Sequence, residues 1–289
     1  MKNTIIAELA ELYPQLYLDP DTRSQEYYKE VVLKGVIPDN RDLSFFCDDP
    51  RDKEEMLDTP VGKVRTVTFY NRGDFEKFLR CMMAAKVGPE KQIPSNQGAA
   101  TITAFNWYKI NKHREQFLKE QYDAGNMTPD WGLEFKKFLL FKENYVDTLV
   151  VLSAGPYSAV DAGIMGCTDE EWLGYSDTIR KYHELTHVIC RAQYPDQIDP
   201  VWDELAADAI GLYAAYHEFD PDKERIFLGI KDGTYIGGRL ENYTDRPNEI
   251  AARADHALDG IDGIIRQHMG TEPFSLIPYI QSEQKTLFF

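Results

Sequence analysis

Residues 183–187 read His183-Glu184-Leu185-Thr186-His187, an HExxH sequence. On a helix, positions four apart share one face about 6 Å apart. Two imidazoles so placed hold one zinc ion at about 2.0–2.1 Å each. Glu184 faces the same cavity one residue out of step. It can therefore take a proton from water without ligating the metal. An open tetrahedral zinc site needs a third protein ligand. The run Trp202-Asp203-Glu204-Leu205-Ala206-Ala207-Asp208 supplies one in Glu204, 17 residues after His187. Pro195 and Pro200 mark a turn between the two segments, and two antiparallel helices joined there bring Glu204 back to the histidines. Asp208, four residues further on, is placed to accept a hydrogen bond from the free ring nitrogen of a ligand histidine. Ala206, Ala207 and Gly211 are small enough to let the helices approach closely. A second acidic helix start, Glu249 to Asp255, offers Glu249 as an alternative third ligand. Glu204 is preferred because its ExxxD pattern is complete. Imidazole and carboxylate without a thiolate set suit zinc.

HExxH on one helix and ExxxD on the next resembles the gluzincin branch of the zincin metallopeptidases, over about residues 176–219. The resemblance implies a thermolysin-like zinc site. His183, His187 and Glu204 would bind Zn2+, Glu184 would be the general base and Asp208 would support a histidine. It also implies a zincin-like fold, mostly helical with a small sheet beside the HExxH helix, and hydrolysis of peptide bonds. Arg180 and Lys181 stand where many such peptidases are uncharged. The same residues would serve a hydrolase of small non-peptide amides. A zincin-fold binding protein without turnover is a third reading, against which the intact Glu184 counts. Peptide hydrolysis also needs a donor for the developing oxyanion. His256 and Arg239 are the candidates of first choice, with Tyr235 and Tyr243 behind them. His217 lies about 20 Å along its helix from Glu204, too far to serve.

These residues need elements to hold them. Apolar residues at helical spacing over 1–35, broken by Pro14 and Pro20, predict two short helices. The Asp- and Pro-rich stretch 36–62 is expected as surface loop. Val64–Tyr70 suits a strand, and a helix is expected from about Asp74 to Lys86. Residues 87–98 have linker composition, which suggests an N-terminal α/β region, 1–95, and a metal-binding catalytic domain, 96–289. A short strand over Gly98–Phe105 and a helix over Asn106–Tyr122 follow. Asn96 to Ala100 is a turn by composition. Thr128-Pro129 is expected to cap a helix running to about Glu143. Val146–Ser153 is a strand, either an ordinary buried one or, over Thr148–Leu152, an edge that pairs with an extended substrate. Residues 155–175 are glycine-rich loop. Helices are expected at Ser176–Tyr194, capped by Ser176 or Asp177, from Asp199-Pro200 to about Phe219, and over Asn248–His268. Few strands among many helices indicate an α+β protein.

Composition bounds the partners. With 48 acidic and 32 basic residues the formal charge is −16, which repels a phosphate backbone or an anionic membrane on average. The expected partner is a peptide or small amide substrate, with no nucleic acid and no membrane. No 18-residue apolar span and no secretory leader are visible. Cys47, Cys81, Cys167 and Cys190 form no CxxC pair and suit buried thiols in a reducing, cytoplasmic setting.

Overall fold

A computed structural model of the chain describes residues 4–83, 93–94, 97–196 and 199–289. The elements in order are α1 (Ile5–Leu12), α2 (Gln25–Lys34), β1 (Lys53–Thr59), β2 (Gly62–Phe69), α3 (Arg72–Met83), β3 (Ala99–Phe105), α4 (Trp107–Asp123), α5 (Trp131–Phe138), β4 (Val146–Ser153), α6 (Asp169–Gln193), α7 (Pro200–Tyr216), α8 (Pro221–Leu228), β5 (Ile230–Lys231), β6 (Thr234–Tyr235), α9 (Pro247–Gln267), α10 (Ile277–Ser282) and α11 (Gln284–Leu287). The protein is α+β. Among the described residues no helix is long and apolar enough to cross a membrane.

The chain divides into two units, residues 1–55 with 65–153, and 56–64 with 154–289. The division therefore falls after Ser153 rather than at residue 95. Sheet pairing is the reason: β4 runs parallel to β2 (Val67 opposite Val151) and antiparallel to β3 (Ile102 opposite Leu149), which ties 99–153 to the strands before it. The end expected for the helix at Lys86 and most of the expected linker 87–98 lie outside the described residues, as does Asn96.

In the first unit the sheet order is β1-β2-β4-β3. The buried run Leu149–Leu152 of β4 occupies the sheet interior, and α3 lays Phe75, Phe78 and Leu79 on the core with Val67, Phe69 and Val151. Both sides of β4 are paired, so Thr148–Leu152 cannot add a substrate strand. β1 lies in the stretch expected as loop. Its sequence KEEMLDT shows no alternation of apolar and polar residues because it is an edge strand, where charge discourages pairing with other chains. α5 starts at Trp131 with Asp130 as its cap, because the Asp130 carboxylate accepts from the Leu133 N–H, and it ends at Phe138, short of Glu143.

The second unit is helical around α6 and α7. α6 begins at Asp169, seven residues before the expected Ser176. Thr168 and Glu171 form a capping box, which satisfies the free N–H groups of the first turn. The exposed Gly174 is carried inside the helix. α7 starts as expected, with Asp199 capping and Pro200 in the first turn. Gly211 faces α6, where a Cβ would stand 2.7 Å from the Ile179 carbonyl oxygen. The α6–α7 approach therefore depends on that glycine. α8 had no counterpart in the sequence reading. All four cysteines are free, and burial pushes the Cys190 thiol up to about 12, as a structural thiol bonded by Gln281.

Candidate metal centre

α6 and α7 run antiparallel, so the HExxH face of one meets the Asp203–Asp208 face of the other. His183 Nε2 lies 3.0 Å from His187 Nε2, 3.4 Å from one Glu204 oxygen, and the other Glu204 oxygen lies 3.3 Å from His187 Nε2. His183, His187 and Glu204 are the one group of three or more possible metal ligands among the described residues. Two ligand atoms about 2.05 Å from one ion at a tetrahedral angle stand about 3.3 Å apart. The separations lie near that figure, with one Glu204 oxygen facing each ring. Glu204 Oε2 is buried and accepts no hydrogen bond, though it stands close to His183. A cation is the partner that such an oxygen fits.

The far sides of the rings are fixed. His183 Nδ1 is 2.7 Å from Asp208, and His187 Nδ1 is 2.8 Å from Asp203. A carboxylate accepts only, so each Nδ1 carries a proton, and in a neutral ring the Nε2 lone pair faces Glu204. Asp208 is held in turn by the Tyr157 hydroxyl, which donates over 2.5 Å, and by an ion pair with Arg239. Tyr157 is fixed by its N–H, which donates to Ser176 Oγ on α6.

The electrostatics follow from burial and these partners. Burial alone would lower the His187 pKa, yet the hydrogen bonds of Asp203 and Glu204 raise it to about 10. Burial opposes ionisation of Glu204, but the His187 hydrogen bond and the charges of His183, His187 and Arg239 hold it at about 2. Burial likewise opposes charge on Asp208, and Arg239 and His183 bring its pKa below the usual value. Glu224, fully buried on α8, has no hydrogen bond to either oxygen and is pushed well up by burial and then by the charge of Asp208. Cationic neighbours thus lower two carboxylates here while burial raises a third nearby.

Several expectations land elsewhere. Glu249 sits exposed on α9 in an ion pair with Arg246, so it is not the third ligand. His256 is exposed on α9 and takes no part in the cluster, because the buried stripe of α9 is Ala251, Ala254, Leu258 and Ile261. Arg239 does reach the centre, but through Asp208, with its guanidinium 5.0 Å over the Tyr157 ring. The Tyr235 hydroxyl donates to the Glu241 carboxylate and accepts from the Gly238 N–H. Tyr243 is half-buried beside Arg239, and burial raises its pKa, with the Glu204 charge and hydrogen bond adding to the effect. Arg180 is buried and donates to the carbonyls of Gly155 and Pro156 at 3.2 Å. Glu184 lies half-buried next to His183 on α6.

Sequence reasoning missed Asp203 and Tyr157. Asp203 had a signal, since it directly precedes Glu204 and a second ligand histidine needs its own acceptor. Tyr157 had none, being 26 residues before His183 in a loop.

The fold and site define an α+β protein with a His-His-Glu centre between two antiparallel helices. The chain belongs to a family of unknown function, DUF7005, whose model matches residues 7–265. No curated protein and no solved structure matches it.

Proposed function

We propose that this chain is a zinc-dependent metallopeptidase of the gluzincin kind, with a zincin-like arrangement around α6 and α7. The observation that carries the reading is the convergence of His183 Nε2, His187 Nε2 and Glu204, with each ring anchored by its own aspartate. A purely structural cluster would not need both Nε2 atoms turned to one carboxylate. When bound, zinc supplies a Lewis acid for the substrate carbonyl and lowers the pKa of water toward about 7. Glu184 takes the proton of the attacking water and passes it to the leaving amine. Asp203 and Asp208 keep the rings in the ligating tautomer, and Tyr157 and Arg239 keep Asp208 in place. Tyr243, beside Glu204, replaces His256 as the candidate donor to the oxyanion.

Metal analysis beside a peptide-library screen tests this. Wild type should carry about one zinc per chain, and His187→Ala should lose it. Glu184→Gln should keep zinc and lose peptide cleavage. A chain that takes up no zinc on reconstitution overturns the site. Cleavage of small amides with peptides untouched would overturn the peptidase assignment while leaving the centre intact.

A further inference from the structure

From Asn111 to Thr148 not one residue is buried, although the stretch contains α5, most of α4 and thirteen large hydrophobic side chains. The two helices hold each other through rings. His113 stacks on Phe138 at 4.4 Å, and Trp131 lies 5.3 Å from Phe135 and 6.1 Å from Phe117. A set of larger side chains is left outside that zipper. Leu133 is 55% exposed, Leu140 75% and Phe141 58%, with Met127 at 74%. Soluble proteins seldom leave such residues together without a partner.

Charge selects the partner. The run 135–142, Phe-Lys-Lys-Phe-Leu-Leu-Phe-Lys, carries three lysines and no acidic residue in a chain whose total is −16. Lys136, Lys137 and Lys142 are exposed and flank Leu139–Phe141. A second copy would set these lysines against each other, which disfavours a symmetric pair. At physiological salt the Debye length is about 8 Å, so the acidic remainder of the molecule is screened and the local charge governs contact. The exposed Leu-Leu-Phe run at the end of α5, with lysines on either side, has the composition of an interfacial anchor.

We infer that the α4–α5 hairpin docks on an anionic lipid surface, inserting Leu140 and Phe141 among the headgroups while Lys136, Lys137 and Lys142 meet the anionic charge. The contact is peripheral and is independent of the metal centre.

Vesicle co-sedimentation of the full chain tests it, using phosphatidylcholine alone and phosphatidylcholine mixed with phosphatidylglycerol. Wild type should pellet with the mixed vesicles at low salt, and much less at high salt or with the neutral ones. Leu140→Ser with Phe141→Ser should lower the pelleted fraction about tenfold or more. Both side chains are exposed, so an unchanged circular dichroism spectrum shows that the fold survives. Lys136→Glu with Lys137→Glu should abolish the preference for the anionic vesicles. Absence of pelleting, or pelleting indifferent to both double variants, overturns the inference. So does a wild type that ignores vesicles but self-associates through Leu140 and Phe141, since the surface would then belong to a protein neighbour.

Discussion

Asp203 shows how much the histidine anchors decide. Its carboxylate is 2.8 Å from His187 Nδ1, and the residue is almost fully buried. Without the acceptor, the ring is free to carry its proton on Nε2, which removes a ligand. Asp203→Asn should therefore weaken zinc affinity about 10- to 100-fold, measured by competition with a chelator, while the fold is retained. An unchanged affinity would show that Asp203 is no part of the centre. At this scale the sequence is a good guide to whatever has a spacing rule. His183, His187 and Glu204 meet because i to i+4 and an antiparallel return are geometric statements that a sequence carries. Arg239 and Tyr157 reach the same centre through loops, whose direction no periodicity encodes. His256 and Glu249 were plausible by residue type alone, and type does not say which way a helix turns.

The α6–α7 contact is the element on which the centre depends. Gly211→Ala would drive a methyl group against the Ile179 carbonyl, so the helices must part by a few tenths of an ångström or more. The expected cost is about 1–3 kcal/mol in a thermal or denaturant melt, with a parallel loss of zinc affinity. Gly174→Ala is the matched control. Its Cβ would meet nothing within 4 Å, and an interior helical glycine gives way to alanine with a gain of roughly 0.5–1 kcal/mol. Equal effects of the two substitutions would mean that the close approach at Gly211 is not what holds the helices in register. Elements were legible where the apolar pattern was clear, as for β4 and α9, and where a cap agreed with it, as for α7. β1 escaped because edge strands shed the apolar pattern. The first two turns of α6 escaped because Gly174 looked like loop, and Thr168 to Glu171 was a cap that went unweighed.

For the whole molecule, the family match runs from residue 7 to residue 265 and so takes in both units. The sheet unit is part of what defines the family, not an addition to a metal-binding helix pair. If the centre holds zinc, the ion links α6 to α7 and stabilises that unit by mass action. Chelation should then raise amide hydrogen exchange across 169–216 and leave β2, β3 and β4 unchanged. Uniform acceleration in both units, or none in either, would argue against a metal that is local to the second. Net charge was the least informative whole-chain quantity, since the three lysines around Leu139–Phe141 are invisible in a total of −16. The centre also has consequences for protein engineering. The proposed ligands, the proposed base and both ring anchors lie between His183 and Asp208, so a designer could lift that helix pair onto a foreign scaffold as one cassette. Tyr157 and Arg239 would stay behind. The transplant would separate capture of the ion, which travels with the cassette, from the tuning of Asp208, which belongs to the host.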